Sequence, residues 1–306
     1  QVRVPDGARV FVNPQGLAPA FEVSIDRKAP PRGGAAVPAV ERVPVLCLPG
    51  VPRELWAIWD AGMGARLAEL ASASSERIAR RIYRVFGRGE SQIAGMCRGV
   101  VDGVAGATIH YQVTFPETLV KIVVRDAVQA DADARLAAID ASLRERLGGF
   151  LYGTGEESLV ERAGRRLVAS GKTVATAESC TGGMIGELIT RMPGSSRAFA
   201  GGAIAYANAE KVRQLGVAQA TLDAHGAVSE ATAREMAAGA RERFGTDLAV
   251  AVTGIAGPDG GTPEKPVGTV WLALASEAGV VTKKLGWPGL RDQIRTLAAG
   301  GALKLI

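Results

Sequence analysis

The side chains of this sequence that could do chemistry lie in three short segments, each directly after an apolar run that predicts a buried strand. The segments are residues 177–183, 206–211 and 253–261. The first two supply a serine, Ser179, a tyrosine, Tyr206, and a lysine, Lys211. A hydroxyl activated by a lysine is a nucleophile–base pair that needs no histidine. Placed at the ends of adjacent strands, the three side chains predict a hydrolytic site.

Ser179 lies between a predicted strand and a predicted helix that opens at Gly182 and Gly183. This position would expose its hydroxyl beside unpaired backbone N–H groups at the start of the helix, which suit an oxyanion or a phosphate. The segment alone also allows a simpler role, in which Ser179 or Thr181 only caps the helix. Both roles stay open at this point.

Lys211 is the candidate base for Ser179. A lysine can accept a proton near neutral pH where burial or a neighbouring positive charge lowers its pKa. Tyr206 could share that proton or orient the hydroxyl. Two alternatives stay open: Lys211 as an ordinary solvated helix residue, and Cys180 as a rival nucleophile, although no nearby histidine would lower the pKa of its thiol.

The third segment places Thr253 and a glycine-rich loop after the most apolar strand. Gly254 and Gly257 would let backbone N–H groups approach an anionic ligand closely, and an ordinary surface loop is the alternative. The segment is not a Walker A loop, because Lys265 is followed by proline rather than by serine or threonine. The two histidines and three scattered cysteines form no metal-binding pattern. We therefore expect neither a metal nor a cofactor.

The composition is typical of a soluble globular protein. Of its residues 47% are apolar and 22% are charged, which is ordinary for this class. The length of 306 residues predicts about two domains. The net charge is +5, but only 5% of residues are aromatic and the arginines are spread along helical segments, which argues against nucleic-acid binding. No run approaches the ~20 apolar residues of a membrane span. Three widely spaced cysteines argue against a disulfide framework and favour the cytoplasm.

The chain has three regions that differ in composition and in predicted secondary structure. Residues 1–72 are rich in proline and glycine and predict part of an α/β domain, with a strand over 43–48 and a helix over about 53–70. Residues 73–152 predict a small α+β domain. Residues 153–306 alternate helices and strands, which predicts a three-layer α/β/α domain whose functional loops lie at strand ends.

The C-terminal segments together resemble the CinA family of competence/damage-inducible proteins, and specifically its C-terminal domain, which also occurs alone as nicotinamide mononucleotide deamidase. The matching stretches follow the family's order and cover most of residues 157–306. They are residues 177–183, 193–196, 206–211, 225–229, 253–261 and 265–271.

The resemblance implies an amidohydrolase that converts nicotinamide mononucleotide to nicotinic acid mononucleotide and ammonia in pyridine nucleotide recycling. Ser179 matches the nucleophile position and Lys211 that of its base, with Tyr206 assisting. A basic residue on the last helix is expected to help hold the substrate; Arg291 is our choice and Arg295 the alternative. The substrate-binding residues we expect are Glu178, Thr181, Gly182, Gly183, Thr253, Gly254, Gly257 and Arg291.

The first two regions resemble the other domains of CinA-type proteins. Residues 13–19 and 48–55 match the later half of a molybdopterin-binding-like domain, so residues 1–72 are expected to be part of one. Residues 87–91 match the start of a KH-like domain, expected over 73–152. The sequence shows no counterpart of the earlier half of the first domain, with its paired aspartates, and it opens without Met. We therefore expect a chain that lacks its natural beginning.

The resemblance also offers two competing functions. Full-length relatives are linked to metal-dependent ADP-ribose pyrophosphatase activity, which we expect to be absent from this chain because it lacks the paired aspartates. The family name suggests a nucleotide sensor or scaffold in competence or the DNA damage response. A homodimer is expected from the same resemblance.

Overall fold

The computed structural model describes residues 3–28, 40–72 and 76–306. The chain divides into two compact units, Gln1–Arg77 and Ile78–Ile306. The predicted boundary between residues 72 and 73 falls beside residues 73–75, which lie outside the described ranges. None of the described helices combines the length and the apolar character that crossing a membrane requires.

The first unit is a three-stranded antiparallel sheet, in the order β1-β2-β3, followed by helical segments. Its elements are β1 (Arg9–Phe11), β2 (Ala20–Lys28), β3 (Val40–Cys47), α1 (Pro52–Ile58), a π-helical segment (Trp59–Met63) and α2 (Gly64–Ser72). The single helix predicted over 53–70 is broken at Gly62, which adopts a φ of 140°. Residues other than glycine avoid this backbone conformation. A small core consists of Phe11, Ala20, Ile58 and Met63.

The second unit begins with an α+β region, as the sequence predicts. Its elements are β4 (Arg77–Phe86), α3 (Glu90–Met96), β5 (Ala107–Thr114), β6 (Glu117–Asp126), α4 (Gln129–Leu147), a 3-10 turn (Gly148–Phe150) and β7 (Leu151–Thr154). The strands form one sheet in the order β5-β6-β4-β7. Helix α4 covers the sheet with an apolar face, since Leu136, Ile139, Leu143 and Leu147 are all buried.

The rest of the unit alternates helices and strands. Its elements are α5 (Leu159–Ser170), β8 (Val174–Glu178), α6 (Met184–Thr190), a 3-10 turn (Ser195–Arg197), β9 (Phe199–Ile204), α7 (Asn208–Leu215), α8 (Gln219–His225), α9 (Glu230–Phe244), β10 (Leu248–Gly254), β11 (Thr269–Ser276), β12 (Gly279–Gly286) and α10 (Arg291–Leu305). The five strands form a mixed sheet in the order β12-β11-β10-β8-β9. Strands β9, β8 and β10 are parallel, whereas β11 and β12 are antiparallel additions.

Helices cover both faces of this sheet, which confirms the predicted three-layer α/β/α fold. Successive residues of β10 alternate between the two cores: Val250 and Val252 pack with α5, α6 and α10, whereas Ala249 and Ala251 pack toward α9. The α9 side is built largely from alanine, and small side chains on both surfaces let this helix approach the sheet closely. The alanines of this core are Ala175, Ala177, Ala203, Ala205, Ala233, Ala237, Ala240, Ala249, Ala251, Ala273 and Ala275.

The parallel arrangement positions the three chemical segments of the sequence. Because β8, β9 and β10 run in the same direction, their carboxyl ends meet at one edge of the sheet. Ser179 follows β8, Tyr206 follows β9 and the glycine-rich loop follows β10. Lys211 lies in α7, the helix that continues from the end of β9.

Candidate active site

A cavity of about 270 Å³ opens at this edge of the sheet, and it brings the three segments together. Ser179, Tyr206, Lys211 and Arg291 all line it, as does the loop after β10. The full lining is Ser179, Cys180, Tyr206, Asn208, Lys211, Ala227, Val228, Thr253, Gly254, Ile255, Ala256, Gly257, Asp259, Gly260 and Arg291. The cavity therefore contains a candidate nucleophile, a candidate base and a cation.

Ser179 and Lys211 form a direct hydrogen-bonded pair. The distance between Lys211 Nζ and Ser179 Oγ is 3.1 Å, within the range that proton transfer requires. The Lys211 side chain is only 1% exposed, so it is not the solvated helix residue that the sequence left open. Ser179 is 8% exposed and faces the cavity. A buried amine in contact with a serine hydroxyl can act as its base.

The remaining partners of Lys211 fit an uncharged amine. Nζ lies 3.0 Å from the carbonyl oxygen of Ala205 and 3.2 Å from that of Tyr206. A neutral amine has two N–H bonds to donate to these carbonyls and one lone pair, which can accept the proton of Ser179. Burial lowers the pKa of Lys211, because removal from water disfavours the charged form.

Glu178 fixes the turn that carries Ser179. Its buried carboxylate accepts hydrogen bonds from the backbone N–H groups of Gly183, Ile185 and Gly186, at 2.9, 3.1 and 2.9 Å. These are the N–H groups that the first turn of α6 leaves unpaired, and the negative charge also suits the positive end of the helix. Glu178 is therefore the residue that caps α6, and Ser179 remains free for Lys211.

Four residues that the sequence predicts to bind substrate do not line the cavity: Glu178, Thr181, Gly182 and Gly183. Thr181 is fully buried, and its hydroxyl has no hydrogen-bond partner in the described part of the chain. Gly182 and Gly183 have φ values of 60° and 99°, in the left-handed region that favours glycine. These glycines make the sharp turn from β8 into α6, which a residue with a side chain would strain.

The loop after β10 forms the opposite wall. Thr253 is 1% exposed and donates a hydrogen bond of 2.7 Å to the carbonyl oxygen of Ala227. A side chain at Gly254 would lie 2.6 Å from Val270 Cγ2, so the close packing of β10 and β11 requires glycine there. Gly257, with a φ of 78°, lets the loop turn back over the cavity. Thr253, Gly254 and Gly257 all line the cavity.

Two arginines of α10 have different partners, which separates the alternatives that the sequence left open. Arg291 donates to the carbonyl oxygen of Gly257 at 2.6 Å and to Tyr206 Oη at 2.9 Å, and it lines the cavity. Arg295 donates to the carbonyl oxygens of Cys180 and Thr181, both at 3.1 Å. Arg291 is therefore the cation at the cavity, whereas Arg295 holds the turn that carries Ser179.

Cys180 is placed as a structural residue. It is 5% exposed, and burial raises the pKa of its thiol to about 11. At neutral pH the sulfur is therefore protonated, and a thiol is a much weaker nucleophile than a thiolate. Ser179, with its hydroxyl on Lys211, is the better nucleophile of the two.

The structure adds residues that the sequence did not single out. Asn208 and Asp259 are exposed polar residues that line the cavity, and Ala227 and Val228 form part of its wall. Asn208 lies within the 206–211 segment and Asp259 within the 253–261 loop, so their positions in these segments were the available signal. Among the residues described, no group of three or more histidine, cysteine, aspartate or glutamate side chains is arranged to hold a metal ion.

Comparison with known proteins agrees with this architecture. Residues 156–306 match the CinA C-terminal domain, and residues 80–153 match the damage-inducible protein CinA KH domain. A putative competence-damage inducible protein of Symbiobacterium thermophilum is 43% identical, over 100% of this chain and 71% of that protein. A CinA-like protein of Gemmatimonas aurantiaca is 39% identical, over 99% of this chain and 68% of that protein.

Among solved structures is a competence-damaged protein (CinA) superfamily protein from Escherichia coli, which is 34% identical to this chain. The match spans 49% of this chain and 90% of the Escherichia coli chain, with a TM-score of 0.47. The two domain matches lie in sequence order, and the curated relatives align along almost the whole chain. The chain belongs to the CinA family.

Proposed function

We propose that this protein is a serine–lysine amidohydrolase that converts nicotinamide mononucleotide to nicotinic acid mononucleotide and ammonia. The observation that carries the proposal is the buried contact of 3.1 Å between Lys211 Nζ and Ser179 Oγ. The substrate is suggested by the resemblance of the cavity segments to nicotinamide mononucleotide deamidase. Arg291 at the cavity supplies a cation for the phosphate of such a substrate.

The first half-reaction is acyl transfer to Ser179. Neutral Lys211 takes the hydroxyl proton as Ser179 Oγ attacks the carbonyl carbon of the carboxamide, which gives a tetrahedral intermediate with a negative oxygen. Protonated Lys211 then gives the proton to the leaving nitrogen. The C–N bond breaks, ammonia leaves, and the nicotinoyl group remains bound to Ser179 as an ester.

The second half-reaction is hydrolysis of that ester. Lys211, again neutral, takes a proton from a water molecule whose oxygen attacks the ester carbonyl. Collapse of the second tetrahedral intermediate breaks the bond to Ser179 Oγ, which regains its proton from Lys211. Nicotinic acid mononucleotide is released, and the pair returns to its starting state. One water is consumed and one ammonia is formed in each cycle.

The oxyanion of both intermediates needs hydrogen-bond donors close to Ser179. In the described part of the chain, the backbone N–H groups of Cys180 and Thr181 donate to no carbonyl oxygen, and that of Cys180 is directed to its own thiol. Donors that are already oriented stabilise the charge that develops in the transition state. Arg295 holds the carbonyl groups of these two residues and so supports the geometry of the turn.

The direct test is incubation of the purified chain with nicotinamide mononucleotide in the presence of EDTA. We expect release of ammonia and nicotinic acid mononucleotide in equal amounts, because every step described uses only side chains and water. A folded sample that binds the nucleotide but releases no ammonia would overturn the proposal and favour the nucleotide sensor or scaffold.

Replacement of Arg291 by Gln tests the phosphate contact. A charge-assisted contact to phosphate contributes about 1.5–3 kcal/mol, so KM for nicotinamide mononucleotide is expected to rise by roughly 10- to 100-fold. Nicotinamide riboside, which lacks the phosphate, is the matched control, and its turnover is expected to change little. If kcat/KM falls by the same factor for both substrates, Arg291 acts only by holding Tyr206 and the loop at Gly257 in place.

A further inference from the structure

A second and larger cavity lies in the same compact unit, away from Ser179. Its volume is about 460 Å³, against about 270 Å³ for the candidate active site. Its walls come from the turn after β4, the 3-10 turn before β7, strand β12 and helix α10. None of the residues that line it lines the candidate active site, so it needs a separate explanation.

The interior of this cavity is apolar and partly aromatic. Leu285, Ile294 and Leu297 contribute aliphatic surface. Phe86, Phe150 and Trp287 contribute three aromatic side chains, of which Phe86 and Trp287 belong to one apolar cluster with Leu297. Ligand cavities typically combine an apolar lining with a small number of charged groups that fix orientation. The apolar part of a ligand here would lie against flat aromatic rings.

The charged residues that line the cavity are all cations: Arg88, Lys283, Lys284 and Lys304. Arg88 lies over the ring of Phe150, with its guanidinium carbon 4.4 Å from the ring centre. Lys304, on the last turn of α10, donates to the carbonyl oxygens of Gly149 and Phe150. Within the described ranges, neither Arg88 nor Lys304 forms a salt bridge, and the same holds for Lys283.

Lys283 and Lys304 repel each other at this site. Burial and, to a smaller extent, the nearby positive charge of Lys283 together lower the pKa of Lys304 to about 8. Two like charges beside an apolar cavity, neither with an acidic partner among the described residues, disfavour each other's charged forms. A bound anion would relieve this repulsion, so the arrangement favours a ligand with a negative charge.

The neighbouring lysine on the same strand points elsewhere, which provides a control. Side chains alternate between the two faces of a strand. Leu285 packs in the core with α10, so Lys283, two residues before it, lies on that face. Lys284 lies on the other face, with its Nζ 5.9 Å from the ring centre of Trp271. Lys283 and Lys284 are both exposed lysines of β12 that line the cavity, but the Lys284 ammonium lies over Trp271, on the face of the strand opposite Lys283.

We propose that this cavity is a second binding site, for a small aromatic anion whose ring system lies among Phe86, Phe150 and Trp287 and whose charged group is held by Arg88, Lys283 and Lys304. The site is separate from the Ser179–Lys211 pair and does not depend on the reaction proposed for it. Aromatic rings pack well against other rings, and the cationic side chains supply the charge that a purely apolar cavity would lack.

Two fluorescent probes with the same ring system test this site in the full chain. 8-Anilinonaphthalene-1-sulfonate carries a sulfonate, and N-phenyl-1-naphthylamine is its uncharged counterpart. We expect Lys283→Gln to weaken binding of the sulfonate by about tenfold, the value of one lost contact to a charged group. Binding of the uncharged probe is expected to stay the same. Lys284→Gln should leave both affinities at the wild-type value.

The affinities of Lys283→Gln and Lys284→Gln for the two probes, each compared with wild type, decide whether the proposal holds. Equal affinity of Lys283→Gln, Lys284→Gln and wild type for the sulfonate would overturn the proposal, as would an equal loss for both probes. Circular dichroism confirms that each variant is folded. Ammonia release from nicotinamide mononucleotide reports separately on the first cavity, so failure of either proposal leaves the other unaffected.

Discussion

Replacement of Ser179 by Ala is expected to abolish ammonia release while leaving the fold intact. The variant loses only the hydroxyl that attacks the carboxamide, and loss of a catalytic nucleophile typically lowers kcat by on the order of 10⁴-fold or more. Among the described residues, the side chain of Ser179 hydrogen-bonds only to Lys211, and Glu178 rather than Ser179 caps α6. The measurements are ammonia release at saturating nicotinamide mononucleotide and the thermal unfolding midpoint.

Cys180→Ala is the matched control for Ser179→Ala. The two residues are adjacent, both line the cavity, and both could in principle attack a carbonyl carbon. Because burial keeps the Cys180 thiol protonated, its removal is expected to leave kcat within a few-fold of the wild-type value, whereas Ser179→Ala loses activity. The opposite pattern, with an active Ser179→Ala and an inactive Cys180→Ala, would make the thiol the nucleophile.

The second large effect is expected from Lys211→Arg. Arginine also has a long basic side chain, but it does not lose its proton in proteins and therefore cannot act as a base. Removal of general base catalysis costs about 10²- to 10⁴-fold in rate. The variant is compared with wild type by kcat for ammonia release. An active Lys211→Arg would mean that Lys211 acts as a fixed positive charge rather than as a proton acceptor.

The pH dependence of the wild-type reaction tests the same role. The neutral amine of Lys211 is the active form, so kcat/KM is expected to rise with pH until Lys211 has lost its proton. Because burial lowers its pKa, this rise should end below the ordinary lysine value of 10.5. A profile that continues to rise above pH 10.5, or one without any rise, would be inconsistent with Lys211 as the base.

The sequence predicted those parts of the fold that have a strong local pattern. The apolar run of β10 indicated a strand covered on both faces, and the structure buries it between two layers of helices. Ser229 is a residue type that favours helix N-caps, and its hydroxyl accepts a hydrogen bond from the N–H of Thr232 at the start of α9. These patterns can be recognised in the sequence because they depend on interactions between residues that are close along the chain.

Weaker local patterns were missed. Helix α8 (Gln219–His225) was not predicted, because it has seven residues and buries only Leu222, too little for an apolar periodicity. The break at Gly62 was also missed, since glycine within a helical pattern does not by itself show which φ it adopts. The cap of α6 was assigned to Ser179 or Thr181 as an alternative, whereas the carboxylate of Glu178 takes that role from the end of β8.

The sequence by itself determined the family, the α/β order of the C-terminal domain and the segments from which the cavity is built, because these depend on residue types and their spacing. Only the tertiary structure decided which side chains meet. Ser179 and Lys211 are 32 residues apart and 3.1 Å apart in space, and Arg291 reaches Tyr206 from 85 residues away. Burial of Lys211 and the proximity of Lys283 to the buried Lys304 amine likewise arise from packing between distant elements, which no local pattern records.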